Sequence, residues 1–361
     1  MSDPASGGVG AHAGSGDGAV SASLPPFMRA RKALVRLPLA RLVLSLLALA
    51  PLAASATARA DTPAPLVAVV SQKAAQLSLV DIEAREVRAV IGLAAVPASL
   101  AVSADGARVY VTHPDLSLVS RIDLASRTVT ATFKAGLEPF GIAVSADGRD
   151  LLVSDWSANA LIRLDASTGA ETGRVAVGHA PAGLVVDEKA GLAYTADRES
   201  DQVSVVRLAD MVRVGTVPVG RAPFALALSP GGDRLYVANV QSGDLSVIET
   251  GTAPLEIARL KVGLMPYGVA VTPDGRTVLV SNQQSGKLAL VDAETLKLAP
   301  AQPRLGTFPE GITVVSPTRA AAVDWAEDEV VVIDIEARAI LGRVKVGNSP
   351  RNLVAVPGGG R

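Results

Sequence analysis

Proline recurs along this chain at a nearly constant interval. Pro97, Pro139, Pro181, Pro223, Pro266, Pro309 and Pro350 are separated by 42, 42, 42, 43, 43 and 41 residues. Each stands in a matching context, such as "AGLEPFGIAVSADG", "VGRAPFALALSPGG" or "VGLMPYGVAVTPDG". The first copy, "IGLAAVPASLAVSADG", carries two extra residues between Gly92 and Pro97. Such a period confines the chain to repeat architectures, in which each unit buries its apolar face only against its neighbours. Every unit holds four strand-like runs, exemplified by "YGVAV", "TVLVSN", "KLALVD" and "LEIARLKV", bounded by Asp-Gly, Ser-Gly and similar turn pairs. Four antiparallel strands in a unit of this length make a propeller blade. The expected fold is therefore all-β: a seven-bladed β-propeller of four-stranded antiparallel blades.

The chain ends predict how the ring closes. After residue 60 the sequence opens on "LVAVVSQ", a second-type strand with no first strand before it, and it finishes on "SPRNLVAVPG", a first-type strand with nothing after it. Placing Leu353 to Val356 beside Leu66 to Val70 completes one blade from both termini and leaves no open sheet edge at the seam.

The repeats "YVANVQSGDLSVIE", "VLVSNQQSGKLALVD" and "VYVTHPDLSLVSRID", together with the "VG..P" and "SADG" stretches, resemble the YVTN-type (YncE-like) β-propeller repeat over about residues 66 to 357. That resemblance implies the same seven-bladed fold and an exported protein. It does not choose an activity, because the fold is shared with lactonases, streptogramin lyases and the propellers of haem-d-type nitrite reductases.

Residues 1–60 read as an N-terminal extension and a cleaved signal peptide, and residues 61–361 as a single propeller domain. Arg29, Arg31, Lys32, Arg36 and Arg41 form a basic flank, Leu42 to Ala50 an apolar core, and Ala58-Arg59-Ala60 a small-x-small cleavage pattern. An uncleaved anchor is the alternative, against which the shortness of the apolar run argues. Either Met1 or Met28 serves as the start in this reading. Removing residues 1–60 takes away six basic and two acidic residues, leaving 28 basic and 33 acidic side chains, a net charge of −5. This balance disfavours nucleic acid and anionic lipid as partners. The absence of Cys excludes disulfides, thiol catalysis, Cys-ligated zinc, c-type haem attachment and a lipidated Cys anchor. The expected location is the periplasm, as a monomer with no stable membrane span.

In a blade of this kind the loop before the first strand and the turn after the second lie at the same end. The residues flanking the repeated prolines and the "N" position of each YVTN copy are thus expected at one mouth of the central channel. The "N" positions are Ser71, His113, Asp155, Asp197, Asn239, Asn282 and Asp324, a polar ring that serves either a ligand or the backbone of its own turns. Ten aromatic residues follow residue 60, and six of them fall at this mouth: Phe140, Phe224, Tyr267 and Phe308 beside the prolines, and Trp156 and Trp325 just after the "N" position. Glu138, Glu310, Arg221, Arg351 and His179 join them. The set suits a ligand pocket of stacking rings with a few charged groups, Arg221 and Arg351 fixing an anion. Packing between blades is the competing explanation for the rings.

No "GxSxG" elbow and no phosphate-cradling Gly-rich loop at a helix start is present. His113 and His179 lack local metal-ligand spacing, and Glu138 and Glu310 lie four blades apart. The reading is an exported, non-catalytic propeller with no cofactor and no metal, binding a small ligand or an envelope protein at one mouth. A periplasmic enzyme on the same fold, either a lactonase-like hydrolase or a protein handling a d-type haem, and a cell-envelope scaffold are the alternatives.

Overall fold

The structure, a computed structural model, describes residues 65–358. The expected signal peptide and its cleavage site lie outside the described residues. Among those residues no helix is long and apolar enough to cross a membrane.

Seven antiparallel sheets succeed one another along the chain. Blade 1 is built from both termini: Pro350–Ala355 pairs with Leu66–Ser71, followed by Gln76–Asp81 and Glu86–Gly92. Val69 lies opposite Leu353 and Val67 opposite Ala355, the closure that the two end sequences predict. Blades 2 to 5 and blade 7 each run from inner to outer strand in chain order, with inner strands Leu100–Val102, Pro139–Val144, Pro181–Asp187, Pro223–Leu228 and Pro309–Ser316. Blade 6 has Pro266–Val271, Thr277–Asn282 and Lys287–Asp292 as regular strands. Its outer edge is reduced to isolated bridges at Leu298 and Arg304, because Pro300 and Pro303 lack the N–H that a ladder needs. Inner strands contact one another in a cycle that returns from blade 7 through blade 1 to blade 2.

The interior is not one core. Seven hydrophobic clusters occur, and each joins two adjacent blades: Val70 and Leu77 of blade 1 pack with Val109 and Val111 of blade 2, for example, and Val67 and Val69 with Val330 and Val332 of blade 7. A blade alone leaves both faces exposed, so the sheets are stable only as a closed ring. Hydroxyl groups one residue before the "N" position reinforce the seams. Thr112 Oγ1 donates to Phe140 O at 2.7 Å, Ser154 Oγ to Ala182 O at 2.6 Å, and Ser281 Oγ to Glu310 O. At Gly141 a Cβ would meet Ala182 O at 2.4 Å, so the glycine after Phe140 is required by the close approach of the next inner strand.

Candidate functional site

The inner strands reach the channel mouth through a bulge. Pro139 pairs with Asp155 but the next pair is Ile142 with Val153, and the register shifts likewise after Pro181, Pro223, Pro266, Pro309 and Pro350. A bulge re-aims a side chain, here the one after each proline. Proline is tolerated at this first strand position because no ladder donor is needed there. Around the ring that position is Ala98, Phe140, Ala182, Phe224, Tyr267, Glu310 and Arg351.

Four of these side chains make a belt across the mouth. The Phe140 and Phe224 rings meet edge-on with centroids 5.6 Å apart although blade 4 lies between them, which the small Ala182 allows. Phe224 and Tyr267 are 4.3 Å apart and tilted by 38°. Arg351 Nη2 donates to Tyr267 Oη at 2.6 Å, extending the belt past blade 7 to blade 1. Trp156 backs Phe140 at 5.2 Å, with the Arg198 guanidinium 5.8 Å from its ring. Beneath the belt lies a cavity of about 320 Å³, walled by residues such as Leu100, Ile142, Leu226 and Leu353 and bordered by Ser99, Asn352 and Arg351.

Glu310 stands beside Arg351 with its Oε1 accepting a 2.9 Å bond from Gln283 and its Oε2 3.5 Å from Arg351 Nε. Burial, helped by Asp324, pushes this carboxyl up to about 7 against the opposing pull of Arg351 and Gln283. Burial also raises the Tyr267 hydroxyl. Burial by itself would lower Arg351, but Tyr267 and Glu310 more than offset it, and the guanidinium is held charged.

Because Glu310 binds its proton more tightly when folded, the native chain holds more protons than the unfolded one between pH 4.5 and about 7. Stability therefore falls as pH rises through that window and stays lower above it. Glu310→Gln removes this penalty and should raise stability at pH 8 by about 3 kcal/mol at most, with little change at pH 4.5. Melting curves at the two pH values check this; an equal shift at both contradicts it.

The polar ring is not at the channel surface. Ser71, His113, Asp155, Asp197, Asn239, Asn282 and Asp324 are all fully buried, and none lines the cavity. The side chains of His113, Asp155, Asp197, Asn282 and Asp324 turn into the preceding loop. Asp155 accepts from the N–H groups of Leu137, Glu138 and Ala158, and Asp324 from those of Thr307, Phe308 and Ala326. Asp197 accepts from Gly178, Thr195, Gln202 and Ser204, yet burial still raises its carboxyl. Asn239 Nδ2 donates to Asp244 and Ser246, and Asn282 Nδ2 to Val262 O. The "VG..P" glycine makes room for them: a Cβ at Gly136 or Gly306 would collide with the Asp155 or Asp324 carboxylate. His113 is held between Ala95 O at 3.0 Å and Ser120 Oγ at 2.9 Å, and burial lowers its pKa.

The remaining mouth residues separate. Phe308 and Trp325 pair edge-on at 6.4 Å, with Lys73 Nζ 4.9 Å from the Trp325 ring, a second stack apart from the belt. His179 and Arg221 are exposed two residues before their prolines, and the contacts they make, to Ser200 and Ser242 among others, run through their backbones. Gln283, Gln72 and Arg198 were not expected at the site, although they occupy the same repeat position as Trp156 and Trp325 and that position was readable.

Together with the adjoining Glu310, the belt offers stacking surface, one guanidinium and one protonatable carboxyl. Among the described residues no three His, Asp or Glu side chains are grouped to hold a metal ion. His113 is fully buried off the cavity and His179 lies outside the belt, so among the described residues the belt presents no imidazole as an axial ligand for a haem iron.

A family model described as a YNCE-like beta-propeller matches residues 159–359, and one described as a cytochrome D1 heme domain matches residues 61–177. No curated protein matches. Among solved structures the chain is similar to a protein of unknown function from Desulfotomaculum acetoxidans DSM 771, at 16% identity and TM-score 0.70 over 80% of this chain and 98% of that one. It is also similar to the dihydro-heme d1 dehydrogenase NirN in complex with DHE, at 19% identity and TM-score 0.62 over 82% and 76%. A Bacteroides fragilis NCTC 9343 protein provisionally named a 6-phosphogluconolactonase is similar at 16% identity and TM-score 0.68 over 82% and 99%. Likenesses this distant speak for the fold alone.

Proposed function

The chain belongs to the YNCE-like β-propeller family, and from that premise we propose that it is an exported, periplasmic propeller that binds a small ligand at the belted mouth of its channel without transforming it. One observation carries this reading. Phe140, Phe224, Tyr267 and Arg351, far apart in sequence, meet across the mouth above a 320 Å³ cavity. Aromatic and aliphatic side chains interleaved with polar groups around one concavity suit a small ligand. Enzymatic turnover is the second reading, favoured by the near-neutral Glu310 carboxyl, which is a group a proton-transfer step could use.

The chain has two tryptophans, so Trp325→Phe leaves Trp156, beside Phe140, as a single reporter. Titration of this variant with 8-anilinonaphthalene-1-sulfonate, a flat apolar anion, should quench Trp156 emission saturably at one site. Phe224→Ala should weaken that binding about threefold to tenfold, the contribution of one aromatic contact. Unsaturable binding, or affinity indifferent to Phe224→Ala, contradicts the reading. A visible absorption band in protein purified from its own cells would overturn it in favour of a haem protein, and a stoichiometric protein partner in favour of a scaffold.

A further inference from the structure

The Arg351 fork is largely unspent. A guanidinium carries five N–H donors in fixed geometry, and among the described residues its one close partner is Tyr267 Oη at 2.6 Å. Gln72 Oε1 is 3.4 Å away and Glu310 Oε2 3.5 Å, both beyond good hydrogen-bond distance. Glu310 Oε2 is correspondingly buried without a donor, on a side chain that is only 6% exposed. Two opposite charges thus lie side by side without the bidentate closure that makes such pairs strong. Arg351, at 22% side-chain exposure, borders the cavity together with Ala98, Ser99, Phe140 and Asn352. Between Arg351 and Phe140 on the ring, blade 2 contributes only the methyl group of Ala98.

We propose that the mouth takes a small carboxylic acid with a flat apolar body, its carboxylate seated on the Arg351 fork in place of Glu310 and its body against Phe224 and Tyr267. This inference deepens the ligand-binding reading and rests on it. An anion on Arg351 removes the one positive charge that holds Glu310 ionised and adds a negative charge beside it, so Glu310 takes up a proton from solvent as the ligand binds. No covalent bond changes. The groups facing Glu310 are Arg351 from blade 1, Tyr267 and Gln283 from blade 6, and Asp324 from its own blade. Tyr267, raised by burial, stays protonated throughout, so the uptake belongs to Glu310. With Glu310 poised at about 7, uptake at pH 7 amounts to about half a proton per ligand, and affinity for the acid rises as pH falls from 8 to 6.

The test is titration calorimetry of the full chain with 2-naphthoate and with the neutral 2-naphthamide, each in two buffers of different ionisation enthalpy. The acid should bind about tenfold or more tightly than the amide, with proton uptake. Arg351→Gln and Arg351→Lys should narrow the preference for the acid, the lysine variant serving if the glutamine variant does not fold. Glu310→Gln should keep the preference and abolish the uptake. Equal affinity for acid and amide, or uptake that persists in Glu310→Gln, overturns the inference while leaving the mouth a binding site. Binding of neither probe overturns both.

Discussion

Removal of residues 352–361 should abolish the stable ring or lower its melting midpoint by about 15 °C or more. The lost segment carries the partners of Val70, Val69, Ala68 and Val67 in blade 1, along with the bond from Val356 N to Leu66 O. It also carries Leu353 and Val356, at 2% and 5% exposure, and the Asn352 contact to Ser99 that joins blade 1 to blade 2. Burial of two such side chains is worth about 1.5–3 kcal/mol each, and each ladder bond about 1 kcal/mol. The sum approaches the whole stability of an ordinary domain, about 5–15 kcal/mol. What is lost is also unlike the loss of an end repeat from a linear array. It exposes the cores on both sides of blade 1, shared with blades 7 and 2. A truncated chain that melts within a few degrees of the full one would contradict the closure.

Asp324→Ala should cost about 3 kcal/mol and disturb the mouth locally. The Asp324 carboxylate, fully buried, accepts N–H groups from Thr307 at 2.6 Å, Phe308 at 3.0 Å and Ala326 at 3.1 Å. Bonds to an ionised acceptor are worth about 1.5–3 kcal/mol each, and leaving a buried donor unmade costs about 1–3 kcal/mol. Thr307 and Phe308 are exposed and regain part of this from water, which keeps the sum near the lower end. The loop carrying Phe308 should then loosen from Trp325, so urea unfolding and a red shift of Trp325 emission in a Trp156→Phe background should report together. Asp324→Asn, which keeps the shape, should lose less. A change under about 1 kcal/mol with unmoved emission would mean that the carboxylate does not hold this loop.

The period of the prolines was enough to read the blade count, the strand order and the closure, because a blade of fixed length has few ways to bury its faces. The convergence of Phe140, Phe224, Tyr267, Glu310 and Arg351 was legible for the same reason: they share one repeat position, and a ring brings equal positions together. The inward turn of Asp155 and Asp324 was harder to read. Their place at a strand end fits either a ligand or the loop amides, and the choice is made by the space left at Gly136 and Gly306, a pairing visible only across strands. His179 and Arg221 share loops with the belt but stand two residues before proline, ahead of the bulge that re-aims the belt side chains. A shared loop does not make a shared position, because the bulge after Pro181 and Pro223 keeps the two apart.

A small molecule held at one mouth by side chains from separate blades should survive gentle purification with the chain. Native mass spectrometry of the protein purified from its own cells addresses it directly, with Phe224→Ala as the comparison. One small organic acid should be retained per wild-type chain and lost from the variant. A molecule retained equally by both, or a protein partner in its place, would contradict it.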